Sequence, residues 1–220
     1  MVTIETLFNG VFRVDGKLAT LNMVPGKKVY DEDLIEYGSK EYRTWNPYRS
    51  KLAAAIIGGM RHMGFREGSR VLYLGAATGT TVSHVSDIVG SKGSIFAVEI
   101  SERSMRDLLG LCESRENILP ILQDARNVEA YSEDVGKPEV IYQDIAAPDQ
   151  ADILIRNAAL LSSKGLAYVA VKSQSIDVSK DPKKVFKEFI EKVSASFKVL
   201  ESISLEPFDR MHLFLVLQKK

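Results

Sequence analysis

Cysteine is almost missing from this chain of 220 residues, which contains only Cys112. A disulfide within the chain is therefore impossible, and we expect a reducing, cytoplasmic environment. Cys112 lies among leucines in a helix-like stretch, which favours a buried, reduced thiol over a reactive one. The sequence also lacks an apolar run long enough to cross a bilayer and the basic-then-apolar start of a signal peptide. We expect no membrane attachment.

Charge of one sign is not in excess, because 29 lysines and arginines balance 29 aspartates and glutamates. No overall positive field is available to hold nucleic acid, so any nucleic-acid substrate would need partners that help to bind it. The histidines and the cysteine form no cluster with the spacing of a metal site, and we expect no metal. The 45% apolar content is enough for one principal domain with a sizeable core.

Residues 1–45 differ in pattern from the rest of the chain and predict a small antiparallel β subdomain. Its β-type runs are Leu7-Phe8, Val11–Val14 and Leu18–Met23. An Asp15-Gly16 turn joins the last two of these runs. Residues 46–220 are predicted to form the main domain, which opens with a helix over about 47–63 that Asn46 caps.

From Val71 onward, strand-like apolar runs alternate with helical segments, as a parallel sheet with crossover helices requires. Strands are predicted near 71–74, 94–98, 118–122, 139–143 and 166–171. The final runs, Phe197–Leu205 and His212–Leu217, are separated by too few residues for a helical crossover, so they should pair antiparallel. This layout is typical of the α/β, Rossmann-like fold of S-adenosylmethionine-dependent methyltransferases, with a seven-stranded, mostly parallel sheet and an antiparallel C-terminal hairpin. Nicotinamide dehydrogenases usually keep the sheet parallel throughout.

A glycine turn follows the first of these strands, within the run Arg70–Thr81. Gly75 and Gly79 allow backbone angles and close approaches that larger residues do not, and the next helix would point free N–H groups at a ligand above the turn. The turn lacks the three glycines of the dinucleotide fingerprint and is not specific by itself.

Three acids, Glu99, Asp124 and Asp144, follow later strands of the predicted sheet. Because ligands of an open parallel sheet bind outside the carboxyl ends of its strands, we expect these carboxylates around one crevice with Gly75. The first can accept hydrogen bonds from ribose hydroxyls, and the second can meet an adenine amino group. Each acid taken singly also fits a helix cap or a solvated loop. The four positions together predict a nucleoside pocket.

Basic residues near the strand ends are the candidates for chemistry, because a hydroxyl nucleophile must lose its proton before or during methyl transfer. Lys172 ends a strand on the same rim of the sheet as Asp144, Lys51 begins a helix that would pack beside the sheet, and His212 opens the last strand. Lys172 also fits a loop cation, Lys51 a solvated residue of a first helical turn, and His212 a surface histidine.

Other polar and aromatic residues have simpler interpretations. His62 and His84 lie in helical stretches and are predicted to be structural. Trp45 is predicted to pack the small subdomain against the main domain. Arg43 and Arg49, on either side of it, fit either contacts to bases and phosphates or the same packing role.

Several segments resemble the fibrillarin family over nearly the whole chain. They are residues 42–55, 73–87, 123–126, 142–146 and 171–177, with the sequences YRTWNPYRSKLAAA, YLGAATGTTVSHVSD, QDAR, YQDIA and VKSQSID. Fibrillarin is the methyltransferase of box C/D guide ribonucleoproteins and methylates ribose 2′-oxygens of RNA. The glycine/arginine-rich tail of eukaryotic members is missing, so the resemblance is to the archaeal type.

The resemblance implies S-adenosyl-L-methionine as the cofactor. With the glycine turn included, the expected cofactor contacts are Gly75, Ala76, Gly79, Thr80, Thr81, Glu99, Ile100, Asp124, Ala125, Asp144, Ile145, Ala146 and Ala147. The implied catalytic group is Lys51, Asp144, Lys172 and His212. Two positions depart from the family pattern. Ala147 stands where glutamine is common, and Met211 stands where an acid commonly precedes the histidine.

The resemblance also implies partners. A Nop-domain scaffold protein would bind the chain directly, and a kink-turn-binding protein, a box C/D guide RNA and the substrate RNA would complete the particle. Such an enzyme can be electrically neutral, since a guide RNA selects the target and the 2′-hydroxyl is exposed along the shallow groove of an A-form duplex. A stand-alone O-methyltransferase of the same fold and a non-catalytic assembly subunit are the alternatives.

Overall fold

The structure is a computed structural model that describes residues 2–220. Its N-terminal part is a five-stranded antiparallel sheet in the order β1-β2-β3-β5-β4. The strands are β1 (Ile4–Phe8), β2 (Val11–Val14), β3 (Lys17–Leu21), β4 (Leu34–Tyr37) and β5 (Lys40–Thr44). The sequence pattern predicts the first three but not β4 and β5. Charged residues such as Glu36, Lys40 and Glu41 interrupt the apolar pattern of those two strands, which form a hairpin with exposed positions.

The second sheet has seven strands in the order β11-β12-β10-β9-β6-β7-β8. They are β6 (Arg70–Leu74), β7 (Ser94–Glu99), β8 (Ile118–Leu122), β9 (Val140–Gln143), β10 (Leu166–Lys172), β11 (Phe197–Ser204) and β12 (His212–Lys219). Strands β6 to β10 are parallel, and β12 runs antiparallel to both β10 and β11. The predicted fold class, including the antiparallel C-terminal hairpin, is confirmed.

Helices cover both faces of this sheet. They are α1 (Lys51–Ile57), α2 (Thr80–Val89), α3 (Glu102–Cys112), α4 (Ser132–Val135), α5 (Gln150–Asn157), α6 (Ser173–Ile176) and α7 (Pro182–Val193), with a 3₁₀ turn at Val128–Ala130. One apolar layer contains Leu52 and Met105, and the other contains Leu154 and Phe189. Met105 is therefore part of the core, as predicted. Within residues 2–220, no helix has the length and apolar character needed to cross a membrane.

Helix α1 begins later and ends earlier than predicted. Its N-cap is Ser50, whose side chain accepts a hydrogen bond from the Ala53 N–H at 3.3 Å. The predicted cap, Asn46, instead accepts from the Tyr48 N–H at 2.9 Å and closes a turn ahead of the helix. Gly58 ends the helix, so the prediction that His62 is helical was wrong. These local turns place Lys51 at the first position of α1.

Buried charges join the small sheet to the large domain. Arg43 of β5 lies 2.8 Å from both Glu32 and Asp87, and Arg115 lies 2.7 Å from the other oxygen of Asp87. All four side chains are essentially inaccessible to solvent. The structure thus assigns Arg43 to packing between the small sheet and helix α2 of the large domain. Arg49, by contrast, is half-exposed and pairs with an aspartate on the surface.

His84 and Trp45 complete this internal junction. The two rings stack with centroids 4.7 Å apart, and Trp45 is buried, as its predicted packing role requires. Burial, together with the neighbouring cations Arg43 and Arg115, holds the pKa of His84 well below its ordinary value. His84 is therefore neutral at physiological pH, and its structural role is confirmed.

The single cysteine lies at the end of α3. Cys112 is half-buried, and burial raises the pKa of its thiol to about 11. The thiol is protonated at neutral pH and is therefore a weak nucleophile, in agreement with the expected unreactive role, although it is half-buried and not buried as predicted.

Candidate active site

The carboxyl end of β6 carries the glycine turn at the centre of the large sheet. Gly75 has a φ of 82°, and its N–H donates to the Val98 carbonyl at 2.9 Å. A Cβ at this position would lie 2.7 Å from the carbonyl oxygen of Asp144. Only glycine therefore lets the turn lie against the backbone that follows β9.

A cavity of about 430 Å³ opens beside this turn. Its walls come from the carboxyl ends of β6, β7, β8, β9 and β10. The residues that line it include Gly75, Glu99, Ile100, Asp124, Ala125, Asp144, Ile145, Ala146, Ala147 and Lys172. The structure thus places the three predicted carboxylates around one cavity, since the carboxyl ends of parallel strands meet at one edge of the sheet.

The Glu99 carboxylate is held in place by backbone donors. It accepts from the Ala77 N–H at 2.7 Å and from the Ser101 N–H at 2.8 Å, one bond to each oxygen. A carboxylate oxygen has a second acceptor position, so each Glu99 oxygen can still accept a hydroxyl hydrogen bond from a ligand. The bond to Ala77 helps to hold that residue in a left-handed conformation, with φ 49°.

Asp124 belongs to an ion-pair network in the cavity wall. Its carboxylate accepts from the Arg126 N–H at 2.8 Å and lies 3.2 Å from the Arg126 guanidinium. The same guanidinium reaches Asp149 at 2.6 Å. The hydrogen bond to Asp149 is the largest influence that raises the pKa of Arg126, and the reverse effect lowers the pKa of Asp149. Sequence reasoning missed Arg126 and Asp149, because nothing in their spacing indicates that they meet.

Four expected cofactor contacts lie outside the lining of this cavity. Ala76 is buried, and the Thr81 hydroxyl donates to Ser50 at 3.0 Å. Gly79 precedes α2 with a φ of 94°, and a Cβ there would meet the side chains of α3. Thr80 lines a different cavity, of about 500 Å³. The turn after Gly75 thus brings Thr81 to the start of α1 and Gly79 to α3, and none of the four residues lines the cavity beside Gly75.

Lys51, Asp144 and Lys172 meet at the end of the cavity. The Lys172 Nζ lies 2.7 Å from Oδ1 of Asp144 and donates to the Asp144 main-chain carbonyl at 3.2 Å. The Lys51 Nζ lies 3.3 Å from Oδ2 of the same carboxylate. All three side chains are mostly buried but keep some contact with solvent. Two ammonium groups therefore flank one carboxylate at a place that a substrate can reach.

His212 joins this cluster through a residue that sequence reasoning missed. Asp209 lies 2.8 Å from the His212 Nδ1 and 3.6 Å from the Lys51 Nζ. The sequence signal was an acid three positions before the histidine, in the short connection between β11 and β12. In that connection, the Met211 carbonyl accepts hydrogen bonds from Ser173, directly after β10, and Asp209 reaches Lys51.

Two tyrosines lie beneath the cluster. Tyr73 and Tyr142 are buried and stack with ring centroids 4.5 Å apart. Burial, reinforced by the charge of Asp144, raises the pKa of Tyr73 well above its ordinary value. The tyrosines are therefore neutral, and they form a low-dielectric floor under Asp144 that strengthens its electrostatic interactions with the lysines.

Comparison with known proteins identifies relatives along the full chain. A profile described as Fibrillarin matches residues 2–220. The Fibrillarin-like rRNA/tRNA 2′-O-methyltransferase of Thermococcus onnurineus is 52% identical over 204 residues, which cover 92% of this chain and 90% of the relative.

Two solved structures are also closely similar. Aeropyrum pernix fibrillarin in complex with natively bound S-adenosyl-L-methionine is 43% identical, with a TM-score of 0.88 and coverage of 99% of this chain and 100% of that one. A fibrillarin/Nop5p complex contains a chain that is 40% identical, with a TM-score of 0.91 and coverage of 98% and 100%. The profile match and these identities show that the chain belongs to the fibrillarin family.

Proposed function

We propose that the protein transfers methyl groups from S-adenosyl-L-methionine to ribose 2′-hydroxyls of rRNA and tRNA. The observation that carries this proposal is the Lys51–Asp144–Lys172 cluster at the end of the cavity. The names of the family relatives support the reaction class, because the Thermococcus onnurineus protein is described as an rRNA/tRNA 2′-O-methyltransferase.

The cavity suits the proposed cofactor. Its volume of about 430 Å³ lies in the range of ordinary ligand pockets. Glu99 has acceptor positions for ribose hydroxyls, and Asp124 provides a carboxylate for an adenine amino group. Ile100, a residue that is 63% exposed, presents an apolar side chain against which an adenine ring can pack. Ala147 also lines the cavity, but its methyl group offers no hydrogen bond.

When bound, S-adenosyl-L-methionine supplies a methyl group on a cationic sulfur, and this sulfur keeps the electron pair of the broken C–S bond when the ribose 2′-oxygen is alkylated. The protein must align that oxygen and help it to lose its proton. The ammonium groups of Lys51 and Lys172 stabilise negative charge on the oxygen as its proton passes to water, which reaches this partly exposed cluster. Asp144 fixes both amines in place and accepts hydrogen bonds.

We further propose that the chain works inside a box C/D guide ribonucleoprotein. The similarity to a chain solved in a fibrillarin/Nop5p complex supports a Nop-domain scaffold as the direct partner. The balanced charge of 29 basic and 29 acidic residues also supports an assembled particle, since the chain alone has little net attraction for RNA. A kink-turn-binding protein and the guide RNA complete the proposed assembly.

Reconstitution tests this function. The chain is mixed with a Nop-domain scaffold, a kink-turn-binding protein, a guide RNA and a complementary target, and transfer of a radioactive methyl group is measured and mapped. We expect one modified ribose, set by the guide, and no transfer to a target with a 2′-deoxy sugar at that position. Efficient methylation of free RNA by the isolated chain would instead support a stand-alone enzyme. If calorimetry detected no binding of S-adenosyl-L-methionine to the chain, the result would support a non-catalytic subunit.

A further inference from the structure

We propose that Asp209 is a positioning residue. It holds the His212 imidazole and the Lys51 ammonium in fixed positions relative to the Asp144 carboxylate. The inference rests on the proposed methyl-transfer function. Its basis is a continuous series in which nitrogen-bearing side chains alternate with carboxylates: Lys172, Asp144, Lys51, Asp209 and His212 follow one another at separations of 2.7, 3.3, 3.6 and 2.8 Å.

The connection that carries Asp209 is fixed by its own backbone. The Asp209 N–H donates to the Leu205 carbonyl at 3.0 Å, and the Leu205 N–H donates to the His212 carbonyl at 3.3 Å. The Met211 carbonyl accepts from the Ser173 hydroxyl at 2.9 Å, directly after β10. The carboxylate is therefore held at a defined place by groups on both sides of the loop.

The contacts of His212 define which ring nitrogen carries the proton. Its Nδ1 lies 2.8 Å from the Asp209 carboxylate and 2.8 Å from the Arg210 carbonyl. Both of these oxygens are acceptors, so Nδ1 must be the donor. In the neutral ring, the lone pair is then on Nε2, which can accept a hydrogen bond from a hydroxyl of the substrate.

Lys51 is shared between two carboxylates. Asp144 and Asp209 both lie close to its ammonium group, at 3.3 and 3.6 Å. Either carboxylate alone would leave the long side chain free to swing away from the cavity, because a single partly exposed ion pair is weak. Two carboxylates restrict it to one position.

Met211 explains why this role falls to Asp209. The residue has a φ of 60° and is 48% exposed, and its side chain carries no charge. It cannot supply an acid to the neighbouring histidine. Within the connection between β11 and β12, Asp209 is the carboxylate that the structure brings to both the ring and the amine.

The test measures single-turnover methylation in the reconstituted particle. We expect Asp209→Ala to lower the rate about 10–100-fold, as for other residues that orient a reactive group. Asp209→Asn keeps the shape without the charge and should also be slow, whereas Asp209→Glu should recover part of the rate. Glu206→Ala, at an exposed acid in the same connection, is the matched control and should keep the full rate.

A double-mutant cycle separates positioning from general structural support. The double variant Asp209→Ala/His212→Gln should lose less of the single-turnover rate than the product of the two single fold losses predicts. The difference should be at least about threefold, because residues in contact are coupled. Thermal stability and cofactor affinity should stay near those of the unmodified chain. Multiplicative effects, or an Asp209→Ala rate equal to that of the unmodified chain, would overturn the proposal.

NMR of the isolated chain with ¹⁵N-labelled histidine adds a readout that does not depend on activity. We expect the neutral His212 ring to carry its proton on Nδ1, with the signal assigned by its loss in His212→Gln. A proton on Nε2 would overturn the proposal. Failure of the unmodified particle to methylate RNA would instead count against the proposed function. The NMR experiment would still report which nitrogen of His212 carries the proton, because it uses the isolated chain.

Discussion

The Nζ of Lys51 lies 3.3 Å from Oδ2 of Asp144, although 93 positions separate the two residues in the chain. This contact joins the first residue of α1 to the loop after β9. Lys172 approaches the same carboxylate from the end of β10. Three separate elements therefore meet at one charged cluster, and the proposed chemistry depends on that convergence.

Removal of one amine should impair the chemical step more than cofactor binding. We expect Lys172→Ala to lower the single-turnover rate about 10²–10³-fold, the usual effect of removing one group that stabilises developing negative charge. Calorimetry should show a much smaller change in affinity for S-adenosyl-L-methionine. Lys180→Ala removes a lysine from a surface ion pair and is the matched control. Equal rates for the two variants would contradict the assignment of Lys172.

The glycine turn should be needed for cofactor binding because of its close approach to Asp144. Gly75 and Gly16 have nearly equal φ angles, 82° and 80°, but a Cβ on Gly16 would meet nothing within 4 Å. Both alanine variants should lose about 1–2 kcal/mol of stability from backbone strain. Only Gly75→Ala should also displace the loop after β9 and weaken cofactor binding, which calorimetry measures. Similar cofactor affinity in the two variants would contradict the steric argument.

The buried charges around Asp87 should make a large contribution to stability. Asp87→Asn would leave Arg43 and Arg115 buried without their shared carboxylate, and we expect a loss of about 3–5 kcal/mol in the free energy of unfolding. Urea denaturation measures this change. Asp33→Asn, which breaks an exposed pair with Lys17, should cost far less stability, because solvent screens that pair. A similarly small loss in both variants would show that the buried network contributes little to the free energy of unfolding.

Stability should fall in mild acid because His84 stays neutral in the folded chain. Its folded-state pKa is lowered by burial and by Arg43 and Arg115, so the unfolded chain takes up a proton near pH 6.5 that the folded chain does not. As the pH falls below about 6.5, this difference should reduce the free energy of unfolding by up to about 1.4 kcal/mol per pH unit.

Urea titrations at several pH values test this dependence. His84→Gln can keep hydrogen bonds to Thr20 and Tyr30 but has no proton to gain, so its stability should decline less steeply than that of the unmodified chain. His62→Gln, the control, changes a half-exposed ring on the surface. It should keep the part of the pH dependence of stability that comes from His84. Parallel stability curves for the unmodified chain and His84→Gln would refute the explanation.

The local pattern of the sequence determined most of the large sheet. Apolar runs such as that of β10 (Leu166–Lys172) carry their own signal, because a strand buried between helices needs apolar side chains on both faces. The short connection after β11 likewise predicts an antiparallel pair, since so few residues cannot form a crossover. By the same reasoning the carboxylates Glu99, Asp124 and Asp144 were expected at one edge, where the structure places them.

Tertiary structure alone decided the contacts between distant side chains. Nothing in the spacing shows that Asp209 reaches both Lys51 and His212, that Ser50 rather than Asn46 caps α1, or that Thr80 turns away from the cavity that Glu99 lines. Periodicity and turn chemistry are short-range properties, so the sequence by itself determines which elements form and at which edge of the sheet the site lies. The position of each charged group within that site depends on how helices and loops pack against each other, and this depends on the whole fold.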